Sequence, residues 1–419
     1  MRKSFARHVF AATLMAGAAF ATPGFAADKD KDQPKVSQAV GKPLSEAATA
    51  MKANDFATAL TKTKEAEAAA NRTPFDDYTI QQFYGNIYIG QKDYKSAEKS
   101  FEVMASSPAL PEKDKVSILT TVIQLAVNNS DWPVVMQYAG QLQAIGPLPD
   151  NVVEPTAVAY YNSGATDKAL ALAKQGIATA QAAGKPPPQS LMDIVTRSQL
   201  KSNDTAGAQK TLEGLAQTYG EPNDWAQLID LSFSSLKNLN DLQALYLYRL
   251  RVVTNATTSL DDYAIMANIT TKAGYPGETV AFLEHGMSAG VVKGGDKAGA
   301  QLGTARTKEA EDQKSLPAFA KAAEARKSGD FDVKLAEAYY GYARYAEADA
   351  AAQRAITKGG MKDAGEAQMV LGMSLVGEGK AADASAAFAK VGGNANNQAI
   401  AHLWTLYAER KYGTTPVAH

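Results

Sequence analysis

The 419-residue chain carries 43 Lys and Arg against 44 Asp and Glu, a formal net charge of −1, and 45% of it is apolar. That is enough to build a continuous core and too much for wholesale disorder, and no basic excess marks a nucleic-acid surface. The complete absence of cysteine excludes disulfides, thiolate metal sites and an acyl-thioether anchor.

The first 26 residues have the pattern of a secretory signal. Arg2, Lys3 and Arg7 form a basic start, Val9 to Ala21 is a short apolar run, and Gly24-Phe25-Ala26 offers small residues for cleavage. The mature chain is expected to begin near Ala27, with 40 basic against 44 acidic residues. No other window approaches the roughly 18–20 apolar residues that span a bilayer. The expected location is therefore a periplasm, without a membrane span after cleavage.

Asp28 to Lys35 alternates charge and contains Pro34, so residues 27–43 are read as a flexible charged linker, with order expected from Leu44. From there helical stretches of about 12 to 15 residues alternate with short breaks bearing Gly, Asn, Asp or Pro. No stretch reads as a strand.

Alanines 59, 97, 169, 208, 244, 348 and 384 recur at 34 to 39 residues or multiples of that spacing, early in apolar helical stretches. The clearest unit runs from Tyr78 to Leu110. Tyr84, Gly85 and Tyr88 share one helix, Lys92-Asp93-Tyr94 forms a turn, Ala97 and Phe101 lie on a second helix, and Pro108 and Pro111 follow. This resembles the tetratricopeptide repeat, W-x2-L-G-x2-Y, then A-x3-F, then P, with Gln81 in place of the opening aromatic. A small residue 12 positions before the alanine and a bulky one 9 before it recur as Gly372, Leu375 and Ala384, as Ala157, Tyr160 and Ala169, and as Ala336, Tyr339 and Ala348. Ala47, Ala50 and Ala59 give a small-residue version. The resemblance implies an all-α fold: a right-handed superhelical α-solenoid of about ten stacked helix-turn-helix hairpins.

Weaker units surround Asp131-Trp132, Asn203-Asp204 and Asn240-Asp241, and residues 257–327 fit the register poorly. Hairpins are nonetheless expected at Ala264 to Ala289 and Lys297 to Arg326. Gly184-Lys-Pro-Pro-Pro188 and the stretch bearing Gly290, Gly294, Gly295 and Gly299 are either joints or longer loops. They delimit repeat groups at 44–186, 187–292 and 293–413. The last group ends in Asn397 to Lys411, a lone helix expected to cap the stack, and residues 414–419 form a mobile tail.

Catalytic constellations are poorly represented. Gly286-Met287-Ser288-Ala289-Gly290 fits G-x-S-x-G, but the motif needs a strand-turn-helix context, whereas Val280 to His285 reads as a helix. Only His285 and His402 lie in the ordered sequence and neither has metal-ligand spacing. Asp28, Asp30 and Asp32 open like a calcium loop, but Gln33 and Ala39 stand where its glycine and glutamate belong. Gly377-Glu-Gly379-Lys380 lacks phosphate-loop order. No catalytic residue, cofactor or metal is expected.

What remains is surface. The resemblance implies that the first helix of each hairpin lines a concave side, exposing Gln82, Asn86 and Ile89, Tyr161 and Asn162, and Glu337 and Tyr340, with Tyr160 and Tyr339 in the core. Tyrosines beside amides suit peptide recognition. The alternative is that Tyr161 and Tyr340 pack on the next repeat. The expected function is a non-catalytic periplasmic scaffold holding a protein or peptide partner in the cell envelope, with no nucleic acid. The second reading is an accessory protein binding peptidoglycan or exported polysaccharide through aromatics of the concave face.

Overall fold

The computed structural model describes residues 35–256 and 259–413; the signal segment, most of the charged lead-in and the tail lie outside them. Among the described residues the regular structure is entirely helical, with twenty α-helices and two short 3-10 turns. Contacts divide the chain between Ser198 and Gln199 into an N-terminal and a C-terminal unit.

In the N-terminal unit, α1 (Gln38–Lys52) packs on α2 (Phe56–Glu67), α3 (Pro74–Gly90) on α4 (Tyr94–Ala105), α5 (Lys115–Asn129) on α6 (Trp132–Ile145), and α7 (Asp150–Ser163) on α8 (Thr166–Ala182). α1 also touches α3 and α5 touches α7, so first helices share a layer. Order starts earlier than Leu44. Val40 and Leu44 are buried on α1 and the Ser37 N–H donates to Asp76 Oδ1 at 2.8 Å, which fixes the helix start against the next hairpin. Gly184 to Pro188 joins α8 to α9 (Gln189–Lys201) as a non-helical loop, exposed at Gly184 to Pro186 and half-buried at Pro187 and Pro188.

One turn is used eight times. Asn54, Lys92, Ser130, Gly164, Asn203, Gly274, Ala343 and Gly379 each adopt positive φ after a first helix. The next residue's N–H returns to a carbonyl five residues back, as from Asp55 to Ala50 and from Asp93 to Tyr88. This is a Schellman closure, which satisfies carbonyls left over at the helix end. In four cases the next residue is aspartate: Asp55, Asp93, Asp131 and Asp204 accept the N–H three residues on and cap the second helix.

The C-terminal unit continues with α10 (Thr205–Thr218), α11 (Pro222–Ser235), α12 (Asp241–Val253), α13 (Leu260–Ala273), α14 (Pro276–Ser288), α15 (Leu302–Ala325), α16 (Asp330–Gly341), α17 (Tyr345–Lys358), α18 (Ala364–Gly377), α19 (Ala381–Phe388) and α20 (Ala395–Tyr412). Two sequence expectations are corrected here, and one alternative is decided. Lys297 to Arg326 is not a hairpin, because α15 runs unbroken through Pro317. Of the two readings of the glycine stretch before it, the longer loop is the one observed: Val292 and Ala298 are buried in the cluster of Tyr263 and Leu283, which folds the loop back onto α13 and α14. Nor does α20 stand alone as a terminal cap. It touches α19 and α18, and also α10 and α12.

The return of α20 closes the C-terminal unit on itself. Trp404 is fully buried and donates from Nε1 to the Tyr246 carbonyl at 3.1 Å. The Tyr407 hydroxyl donates to the Val253 carbonyl at 3.1 Å, and its ring meets Trp225 edge-on at 5.9 Å. Arg410 donates to the Tyr219 carbonyl and Asn396 to that of Lys237. Both ends of α20 are thus tied to the opening helices of the unit.

Candidate partner-binding face

Which side of each hairpin faces inward follows from its small residues. At Gly85 an added Cβ would lie 2.6 Å from the Phe101 ring, and at Gly372 it would lie 2.4 Å from Phe388, so first and second helix approach through a glycine against a phenylalanine. Ala47, Ala59, Ala97, Ala157, Ala169, Ala336, Ala348 and Ala384, at the expected register positions, have no exposed surface. These hairpins close through the small residues at the expected register positions. Gly90 against Phe56 and Gly377 against Tyr345 repeat the device between neighbouring hairpins, with the aromatic opening each second helix.

The register also locates a hairpin that the alanine pattern misses. Ser130-Asp131 matches Lys92-Asp93 at the turn, which makes Ile123 and Val135 the counterparts of Gly85 and Ala97, and Ala139 that of Phe101. All three are fully buried. Bulk has changed places across the pair, so total volume is kept while the sequence signature is lost. Ala244, in contrast, is only partly buried, because the α11–α12 connection ends differently: Asn240 itself caps α12 in a capping box with Gln243.

The N-terminal unit leaves the residues read from its first helices partly or fully accessible. Gln82, Asn86 and Ile89 on α3 and Tyr161 on α7 are half-buried, and Asn162 is exposed. Register adds Thr120 and Gln124 on α5 and Glu154 on α7, all half-buried. Glu154 precedes Tyr161 by the same seven residues that separate Gln82 from Ile89, so the repeat itself identifies it. The Ser190 hydroxyl on α9 donates to Glu154, and burial still pushes this carboxyl above its ordinary value. Burial likewise raises Asp193 on α9, against the pull of Arg197.

The C-terminal unit does not expose the positions read from sequence. Glu337 is 1% exposed and Tyr340 is half-buried. The cause is Arg249 on α12, itself 2% exposed. Its guanidinium makes a bidentate pair with Glu278 at 2.6 and 2.7 Å, donates to Glu337 at 2.6 Å, and stacks 4.5 Å from the Tyr340 ring. The Tyr246 hydroxyl donates to the other Glu337 oxygen at 3.1 Å. Burial raises the Glu337 carboxyl while Arg249 draws it back, and the two carboxylates hold Arg249 firmly cationic. First-helix positions that would line a groove are here occupied by the chain's own ion-paired core. Tyr339 is also not fully in the core: it is half-buried, with Arg344 stacked 4.5 Å from its ring.

The G-x-S-x-G segment has no nucleophile geometry. Gly286 to Ser288 ends α14, and the Ser288 hydroxyl donates to the His285 carbonyl one turn back. Ring nitrogen Nδ1 of His285 pairs with the Tyr263 hydroxyl at 2.8 Å.

No family model matches the chain, and none of the curated proteins compared with it matches. Among solved structures, a tetratricopeptide repeat protein from Parabacteroides merdae is 12% identical over 64% of this chain and all of that one, with a TM-score of 0.35. Naa15/Naa10 bound to HypK-THB is 15% identical over 85% of this chain and 64% of that one, with a TM-score of 0.34. The P58(IPK) TPR domain is 9% identical over 90% and 99%, with a TM-score of 0.24. At these levels of similarity the hairpin assignment rests on the packing described above.

Proposed function

We propose that this chain is a non-catalytic scaffold of the cell envelope that holds a protein segment along the first-helix face of its N-terminal unit. The observation that carries this reading is the contrast between the two units. Arg249 and its partners fill the equivalent positions of the C-terminal unit, whereas the side-chain amides of Gln82, Asn86, Gln124 and Asn162 have no hydrogen bond within the described residues. Amides with unused donors and acceptors, set in rows on adjacent helices, suit the backbone of an extended polypeptide. Periplasmic export through cleavage near Ala26 and Ala27 is part of the proposal, supported by the basic start, the apolar run and the small residues before Ala27. A polysaccharide-binding role retains less support, because Tyr340, one of its two aromatics, is committed to Arg249.

The test is site-specific photocrosslinking in cells from positions 86 and 161, with Asp167 on the opposite helix of the same hairpin as control. A discrete polypeptide captured from 86 and 161 and not from 167 supports the reading. Equal capture at all three positions, or a mature chain found in the cytoplasm with its first 26 residues intact, would overturn it. Cosedimentation with cell-wall sacculi that is lost on Tyr161→Ala would favour the carbohydrate role instead.

A further inference from the structure

The charges on this face have a sign. Helix α3 has no Lys or Arg, α7 has none, and α5 has only Lys115 at its first residue, 3.6 Å from Glu112. Apart from Lys92 in the α3–α4 turn, the other cations of these hairpins sit on second helices: Lys95 and Lys99 on α4, Lys168 and Lys174 on α8. On the face itself, register places Gln82 and Asn86, Thr120 and Gln124, then Glu154, Tyr161 and Asn162, then Asp193. On α9 Arg197 takes the register position of Asn86, four residues after Asp193 and drawing on that carboxyl, and Lys52 stands at the end of α1.

Glu154 gives the arrangement its direction. It is half-buried and its described polar partner is one hydroxyl, that of Ser190. A carboxylate withdrawn from water without a counter-charge is destabilised, and an arriving cation relieves it more than it would a fully hydrated one. An arriving anion would meet the opposite penalty, with no guanidinium or ammonium on α3 or α7 to receive it.

We infer that the first-helix face of the N-terminal unit selects an extended polypeptide segment bearing Lys or Arg, with Glu154 as the charge that receives it and the amides of α3, α5 and α7 holding the backbone. The inference rests on the peptide-holding role proposed above and adds the chemistry of the partner. It places the amide rows and the carboxylate on one ligand: the amides are indifferent to sequence, and the acid supplies the preference.

The test is fluorescence anisotropy of the full chain with three short labelled peptides of one length, in which Lys, Gln or Glu alternates with Ser. The Lys peptide is expected to bind about tenfold tighter than the Glu peptide at low salt, a gap that narrows as salt rises. Glu154→Gln, which keeps a partner for Ser190, should weaken the Lys peptide by about fivefold and leave the Gln peptide unchanged. Asp193→Asn repeats the measurement on α9, and Asp167→Asn on α8 should have no effect. If the Gln or Glu peptide binds as well as the Lys peptide, the charge preference is wrong while the peptide-holding role stands. If none of the three binds, both fail. If Asp167→Asn weakens binding as much as Glu154→Gln, the attraction is a diffuse field of the whole chain and the assignment to this face is overturned.

Discussion

Glycine and phenylalanine act as one unit in this fold. Gly85 is buried against Phe101 and Gly372 against Phe388, so the missing side chain on one helix is the space occupied by the ring on the other. Gly85→Ala gains helix propensity, but it places a methyl inside van der Waals contact with a ring fixed by its own packing. Overpacking of this kind costs about 1–3 kcal/mol, against a propensity gain of about 1 kcal/mol. Gly85→Ala is therefore expected to lower the denaturation midpoint, and Phe101→Leu in the same chain to restore part of the loss. Gly140 lies in α6 with nothing within 4 Å of an added Cβ, so Gly140→Ala should stabilise by about 0.5–1 kcal/mol. A destabilising Gly140→Ala, or a neutral Gly85→Ala, would contradict this packing. The same pairs explain what was legible in the sequence. Fixed offsets between Gly85, Ala97 and Phe101 were visible because all three keep the volumes the repeat requires. The α5–α6 hairpin was only weakly visible because Ile123 and Ala139 exchange those volumes, which a search for alanine does not register.

Helices were easier to read than their company. The α1 to α8 hairpins follow local rules, Schellman turns and aspartate caps, so their order was accessible from neighbouring residues. Where a hairpin is expected over Lys297 to Arg326, α15 is one helix, and the bond that Pro317 removes is only one of many along its 24 residues. Glu337 and Tyr340 were assigned to a surface because nothing within their own hairpin reveals Arg249, which is 88 residues distant from Glu337 in the chain. At this scale the structure predicts a pH dependence for the C-terminal unit. The Glu366 carboxyl on α18 is pushed up to about 7 by burial and by Asp363, Glu337 and Asp330. Its folded value is raised, so its stabilising contribution is complete below the ordinary carboxylate range and is lost as pH rises through about 7. His402 on α20, 3.3 Å from Glu213 on α10, is drawn above its ordinary value chiefly by that hydrogen bond. Its contribution is present below the ordinary histidine value and is also lost as pH rises through the raised one. Both groups make the unit more stable near pH 6 than near pH 8 in denaturant titrations. Glu366→Gln should flatten most of that difference, and His402→Gln less, since its side chain is half exposed and worth only a few tenths of a kcal/mol.

For the molecule as a whole, closure by α20 separates two kinds of stability. Trp404 joins α20 to the Tyr246 backbone and packs beside Phe388, with ring centroids 6.3 Å apart. Trp404→Ala removes a fully buried indole and is expected to cost about 3–5 kcal/mol. Hydrogen exchange followed helix by helix should lose protection in α10, α12, α18 and α20 and keep it in α1 to α7. Uniform loss throughout the chain would mean that the two units do not unfold separately. The N-terminal unit assembles from hairpins in sequence order, whereas α12 meets its partner Tyr407 only after 154 further residues. Loops of that length are slow to close and expose unpaired apolar surface meanwhile. During synthesis the first unit can therefore settle as it emerges, while α10 to α12 must wait, half-clothed, for α20 to appear, and that interval is when holding factors and proteases would find them.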